Sequence, residues 1–399
     1  MTVIKPPKIL IPRSGIDLHK WAIIACDQYT SEPEYWYSLS DLVGNSPSTL
    51  HMIFPEVYLG KNDDNRILSI NTTMNNYINN GIFQEVGECF ILVDRSTSYQ
   101  KKRLGLIVSI DLDQYEYSEH TDALIRATER TVVSRIPPRV KIRQDAIIEI
   151  PHVLVLVDDR DLKIIENLYD KKDTFKKIYD FELNMNGGHL SGYKIDETHQ
   201  IIKDLESLTK NNLLFIVGDG NHSLATAKAC WDAIKIGLNK EQREIHPSRY
   251  AMIELMNIHD KGLQFEPIHR IVFNVKSDFL SGLTELATGN SKCITYSSKV
   301  GEKSLPLSEN APEAIRVVQD YIDLYIQQNP EASVDYVHGL ESLKNICHKH
   351  PDAIGITLPP IDKKDIFDYV SMHGVLPRKS FSMGEASEKR YYLECRKIK

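Results

Sequence analysis

The run LLFIVGDGNHSLATAK, Leu213 to Lys228, sets five apolar residues against two glycines, an acid, an amide, an imidazole and a hydroxyl. A short apolar run closed by glycine reads as a buried strand. The following SLATAKACWDAIKIG has strong helix formers and places Leu224, Ala227, Trp231 and Ile234 at helical spacing. The polar box Gly218–Ser223 therefore falls between the carboxyl end of a strand and the amino end of a helix. Free N–H groups and the helix dipole favour an anion there. The box is neither a Walker P-loop nor Gly-x-Gly-x-x-Gly. A tight turn capped by Asp219 or Asn221 accounts for the glycines and one polar residue. It does not account for Asp219, Asn221, His222 and Ser223 on one edge, so a ligand-contacting role is expected for the box.

Outward from the box, LIRATERTVVSRIPPRVKIR (124–143) carries Arg126, Arg130, Arg135, Arg139, Lys141 and Arg143 against the single acid Glu129, a local net of +5. Charge runs are ordinarily solvated faces. Here most of the cations are forked guanidiniums suited to phosphate, and Pro137-Pro138 stiffens the segment. The expectation is phosphate binding by Arg126, Arg130, Arg135 and Arg139, together with Gly220, Asn221 and Ser223. Glu129 among these charges would be held ionised, as a metal ligand or a base. In ACDQYTSEPEYW (25–36), Asp27 closes an apolar run. In FEPIHRIVF (265–273), His269 and Arg270 sit between apolar residues, the usual setting of a satisfied core histidine. The segment 377–397 mixes Arg378, Lys379, Lys389 and Arg390 with Glu385 and Glu388, and its aromatic residues imply that it folds back onto the body.

The chain has 399 residues, 42% of them hydrophobic and 26% charged, the profile of an ordinary globular protein with room for several lobes. A formal charge of −7 argues against nucleic acid as a partner. No apolar run reaches the length of a membrane span or a signal peptide. The cysteines Cys26, Cys89, Cys230, Cys293, Cys347 and Cys395 form no C-x-x-C pair and read as reduced thiols. A cytoplasmic location, with no membrane partner, is expected. Interleaved strands and helices imply an α/β or mixed α+β fold. Three segments are expected: 1–165 with the arginine stretch, 166–275 with the box, and 276–399 folding back on the core.

Taken together and in order, these segments resemble a family filed as domain of unknown function ten-fifteen. The P-Y-D turn, N-x-x-S-x-L-H…P-E segment, H-E-x-T box, D-G-H-H-R box and P-T-H-R motif of its shorter members have counterparts here. They are ACDQYT with Asp27, NSPSTLHMIFPE with Ser48 and His51, TERT with Glu129 and Thr131, DGNHS with Asp219 and His222, and PIHR with His269 and Arg270. The arginine that closes the family's short-form box is Ser223 here, so its phosphate contact would pass to the 126–139 cluster. The D-G-x-H box also resembles the phosphate-holding corner of ParB- and sulfiredoxin-like folds.

The longer members that this chain is most similar to resemble enzymes phosphorylating free L-serine with inorganic pyrophosphate. That resemblance implies Mg²⁺ as cofactor, and L-serine with pyrophosphate (or a nucleotide) as the bound small molecules. Asp219, His222 and Glu129 would be the acid–base candidates, with Asp27, Ser48, His51, Thr131, His269 and Arg270 toward the substrate. The residues alone say only that a phosphate-rich anion meets a small polar molecule, and they name no metal ligands. An ATP- or ADP-dependent serine kinase, or a ParB-like nucleotide switch that transfers nothing, are the alternatives.

Overall fold

The computed structural model describes residues 2–61, 63–286, 288–291, 293–297 and 301–399. They divide into two compact units: Met1–Leu263 with Glu385–Lys399, and Gln264–Gly384. The expected boundaries at 165/166 and 275/276 give way to this division for a topological reason. In the first unit the described residues form one ten-stranded sheet that interleaves early and late strands. Its order is Lys176–Glu182, His189–Ile195, Phe90–Ser96, Arg103–Asp111, Tyr250–Asn257, Leu154–Val157, Phe215–Asp219, Ile125–Ala127 and Tyr115–Glu116, with Ile4–Lys5 beside Arg103–Asp111. Phe215–Asp219 lies antiparallel to Leu154–Val157 and parallel to Ile125–Ala127, so no boundary falls between residues 165 and 166. The fold is a mixed α/β arrangement around a large mixed sheet.

Alternate residues of the central strands enter different cores. Phe90 and Leu92 pack in one cluster with Phe215, Val217 and Trp231, whereas Ile91 and Val93 pack in the other with Trp21, Trp36 and Tyr391. Both faces of the sheet are therefore covered. That is why its strands read as continuous apolar runs rather than alternating ones. Residues 385–399 return to this unit. Tyr391–Tyr392 pairs with Ile23–Ile24, and Arg396–Lys397 pairs with Ile148–Glu149.

In the second unit the described residues form a six-stranded sheet built around Phe265–Phe273, with helices that include Ala311–Gln328 and Lys363–His373. It has its own apolar cluster, containing Ile271, Tyr296, Val337 and Leu343. Among the described residues no helix is long and apolar enough to cross a membrane.

Candidate active site

The box forms the expected corner. The strand Phe215–Asp219 ends, Gly220 turns, and the helix Asn221–Lys235 begins. Gly220 has φ +84°, and a Cβ there would stand 3.1 Å from the Cα and Cγ2 of Val153. Only glycine meets both conditions without strain. The parallel neighbour Ile125–Ala127 is in register at Phe215↔Ile125 and Val217↔Ala127. Its carboxyl end therefore emerges beside that of the box strand, which brings the TERT segment next to the box. Thr128 Oγ1 donates to the Val217 carbonyl at 2.5 Å, and the Val132 N–H donates to His222 Nε2 at 3.2 Å. His222 thus spends its imidazole lone pair tying the two loops together and is not presented there as a free base.

Asp219 faces a cation from the far end of the chain. Lys389 Nζ lies 3.1 Å from Asp219 Oδ2, with the side chains 13% and 28% exposed. Burial alone would raise the Asp219 carboxyl. The Lys389 charge and its hydrogen bond, then His152 and the Gly220 N–H, outweigh burial and hold it below the usual carboxylate range. Asp219 is therefore an anion at neutral pH, suited to orienting a ligand or sharing a cation. Next to it the first-turn N–H groups of the Asn221–Lys235 helix lack intrahelical acceptors, as at any helix start, and Gly220 has no side chain with which to cap them. Asn221 Oδ1 and Thr131 Oγ1 are buried here without a hydrogen-bond partner among the described residues. Glu129 is half-buried at the neighbouring strand end.

A hydrogen-bonded chain leads away from the box. Ser223 Oγ is 2.8 Å from His152 Nε2, and His152 Nδ1 is 2.9 Å from the Tyr392 hydroxyl. The Tyr392 oxygen in turn accepts the Cys26 N–H at 3.2 Å. Burial raises the Tyr392 hydroxyl well above its ordinary value, with the Cys26 thiol and Asp27 adding to it. Burial likewise pushes the Cys26 thiol up. Both therefore keep their protons. Asp27, half-buried next to Cys26, accepts from Gln28 Nε2 at 3.1 Å. Ser223, His152, Tyr392 and Cys26 line a cavity of about 170 Å³ together with Glu56, Arg139, Arg143 and Glu149 and a larger apolar set that includes Met52, Phe54 and Ile142.

The arginines do not gather into a cradle. Arg126 is buried and turned toward backbone, donating to Ala123 O at 2.8 Å and Asn212 O at 3.1 Å. Arg139 pairs with Glu56, and Arg143 pairs with Glu149 at 2.5 Å. Arg130 makes an exposed ion pair with Glu119 at 2.7 Å, and Arg135 is exposed. Of the four arginines expected to bind phosphate, Arg126 and Arg139 are already engaged, whereas Arg130 and Arg135 are exposed to solvent.

Four further residues are placed by structure rather than by the box. Ser48 is fully buried and caps a short helical turn, its Oγ accepting the Leu50 N–H. His51 Nε2 lies 3.2 Å from Ser46 O, on a separate open groove of about 630 Å³. His269 and Arg270 belong to the second unit. Arg270 is fully buried, bonded to Gln319 and to the carbonyls of Ile268, Arg378 and Lys379. His269 Nδ1 accepts the Leu358 N–H at 3.2 Å. Burial, then the Arg270 and His338 charges, push it down to about 4. Both are satisfied core residues.

A family model described as "Protein of unknown function (DUF1015)" matches residues 10–351. The chain belongs to that family. Among solved structures, a conserved hypothetical protein from Pyrococcus furiosus is 12% identical, with TM-score 0.39 over 73% of this chain and 95% of its own. A free serine kinase in complex with AMP is 10% identical, with TM-score 0.40 over 73% of this chain and 92% of its own. A mutant free serine kinase in complex with ADP is 11% identical, with TM-score 0.41 over the same shares. No curated protein matches the chain.

Of the counterparts to the DUF1015 motifs, the structure brings together the TERT and DGNHS boxes and places ACDQ beside the hydrogen-bonded chain that starts at Ser223. Three residues of this site were missing from the expected set: His152, Lys389 and Tyr392. His152 stands just before an apolar strand, and PHVLVLVD carries no signal beyond a polar residue at a strand start. Lys389 and Tyr392 lie in the returning tail, whose aromatic–basic mixture was the available clue. Buried arginines hold that tail in place. Arg95 donates to the carbonyls of Ser387, Glu388 and Lys389, and Arg103 donates to that of Glu388. Among the described residues no group of three or more His, Cys, Asp or Glu side chains gathers to hold a metal. Asp219 alone still fits Mg²⁺, which takes one or two protein carboxylates and completes its shell with water and phosphate oxygens.

Proposed function

We propose that this chain phosphorylates the hydroxyl of free L-serine to O-phospho-L-serine, with inorganic pyrophosphate as donor and Mg²⁺ carried largely by the donor's oxygens. The observation that carries the reading is the Gly218–Ser223 corner. An uncapped helix start, Lys389, the anionic Asp219 and the end of the TERT strand meet there. Phosphoryl transfer asks chiefly for positioning and for positive charge around the moving group. The helix N–H groups and Lys389 would hold the donor, with Arg130 and Arg135 available at the rim. Asp219, with Mg²⁺ when bound, would neutralise and orient. Asp27, beside Cys26, suits the amino-acid ammonium. The resemblance of the D-G-x-H sequence to ParB- and sulfiredoxin-like phosphate corners, and that of the longer family members to serine kinases, support this reading.

A nucleotide as donor, or as the ligand of a switch, is favoured by one observation: the mainly apolar cavity beside Ser223 suits a flat base. One assay separates the readings. Purified protein is incubated with L-serine, Mg²⁺ and pyrophosphate, ADP or ATP, and O-phosphoserine is measured. Product with pyrophosphate is expected. Product only with a nucleotide keeps the kinase and discards pyrophosphate. Tight nucleotide binding with serine untouched would favour the switch, and absence of product with every donor discards the kinase.

A further inference from the structure

We propose that Ser223 is a nucleophile, which takes the phosphoryl group from the donor as a phosphoseryl enzyme and hands it to the acceptor hydroxyl, with His152 as its base. This rests on the phosphotransferase reading above and adds a covalent intermediate to it. The arrangement is a nucleophile, a base in hydrogen-bond reach and a third group orienting the base. Ser223 Oγ is 2.8 Å from His152 Nε2, and His152 Nδ1 is 2.9 Å from the Tyr392 hydroxyl. The Tyr392 O–H has the Cys26 sulfur as a hydrogen-bond acceptor. It can then accept Nδ1–H and leave Nε2 facing the serine proton. Ser223 also belongs to the first turn of the Asn221–Lys235 helix. A phosphoryl group bound by those N–H groups lies next to this residue's own hydroxyl. At the position of the arginine in the short-form box that this stretch resembles, this chain carries a hydroxyl.

The step balances. Ser223 Oγ bonds to phosphorus as the bond from that phosphorus to the bridging oxygen breaks. The hydroxyl proton passes to His152 Nε2 and then to the departing orthophosphate. In the second half His152 takes the proton of the acceptor hydroxyl as the acceptor oxygen bonds to phosphorus and the phosphorus–Ser223 Oγ bond breaks, and returns that proton to Ser223 Oγ.

The test omits the acceptor. Wild-type protein with Mg²⁺ and pyrophosphate alone is expected to gain one phosphoryl group on the peptide containing Ser223. It should also exchange labelled orthophosphate into pyrophosphate. Ser223→Ala should abolish both, and His152→Gln should slow both by at least about a hundredfold. With L-serine present, double-reciprocal plots should be parallel. O-phosphoserine formation with no exchange, no labelled Ser223 and intersecting plots would establish direct transfer and overturn the covalent step while leaving the kinase intact. Exchange undiminished in Ser223→Ala would also overturn it. Neither product nor exchange with pyrophosphate, ADP or ATP would remove the phosphotransferase reading, and the intermediate with it. Labelling of the wild-type chain needs no variant, so a misfolded variant leaves the question decidable.

Discussion

Replacing Lys389 with methionine keeps the length of the side chain and removes the charge beside Asp219. At 3.1 Å the attraction is about 5 kcal/mol for an effective dielectric of ~20, most of it offset by the desolvation of both groups. Stripping one partner from a fully buried pair costs ~3–5 kcal/mol. The Asp219 side chain is 28% exposed, so water recovers part of this, and a loss of about 2 kcal/mol at pH 7 is expected. For a unit of this size that corresponds to a fall in Tm of about 3–4 °C.

The pH dependence is the sharper readout. In the wild type the carboxyl is held low. Its stabilisation is therefore present above the unfolded value of about 3.9 and lost as pH falls through the folded value. In the variant, burial, the largest single influence on this carboxyl, loses the Lys389 charge and hydrogen bond that oppose it, and the folded value moves up. The folded chain then binds the extra proton, and the penalty grows as pH rises above ~4. Urea unfolding followed by tryptophan fluorescence reports the first unit alone, because Trp21, Trp36 and Trp231 all lie there. The difference from wild type should shrink to under about 1 kcal/mol at pH 4, and Asp219→Asn in the same chain should restore most of it at pH 7. A penalty equal at both pH values, or no rescue by the second substitution, would refute the electrostatic account of the pair.

Other substitutions probe other parts of the site. Asp219→Asn should cut O-phosphoserine formation at least about a hundredfold with the circular-dichroism spectrum unchanged; wild-type turnover would reduce the corner to a turn. Gly220→Ala should cost about 2–3 kcal/mol, from the left-handed backbone and the crowding against Val153, and calorimetry would show it. Arg130→Ala should raise the donor KM, whereas Arg126→Met should lower Tm and leave KM alone; the reverse pattern would restore Arg126 to the phosphate site. His269 has a folded value of about 4 against ~6.5 unfolded. The second unit should therefore lose up to about 3 kcal/mol as pH falls across that window. Hydrogen exchange on the Phe265–Phe273 strand should show the loss, and His269→Gln should flatten it.

The corner was legible because each of its causes is local. Five apolar residues make the strand, Gly220 makes the turn and the alanine-rich periodicity makes the helix. What lies across from the corner was not legible. The neighbouring TERT end comes from a strand that precedes the box strand by some ninety positions along the chain, joined by parallel pairing at Ile125↔Phe215. Local sequence carries no term for such a pairing. The arginine run was over-read for the same reason. Its +5 is a local sum, and the acids that pair with its cations, Glu56, Asp64, Glu119 and Glu149, arrive from outside the run.

The converse error hid Lys389. In KSFSMGEASEKRYYLECRK (379–397) it looks like one tail lysine among several. Yet Arg95 and Arg103 fix the backbone on which it rides, and they sit on the strands Phe90–Ser96 and Arg103–Asp111. Those buried guanidiniums are what turn a flexible lysine into a site residue. Arg95→Met should therefore lower donor affinity without touching the donor, and Lys389→Met on top of Arg95→Met should add little further loss. Additive losses in that double-mutant cycle would mean that Arg95 supports the fold alone and that something else positions Lys389.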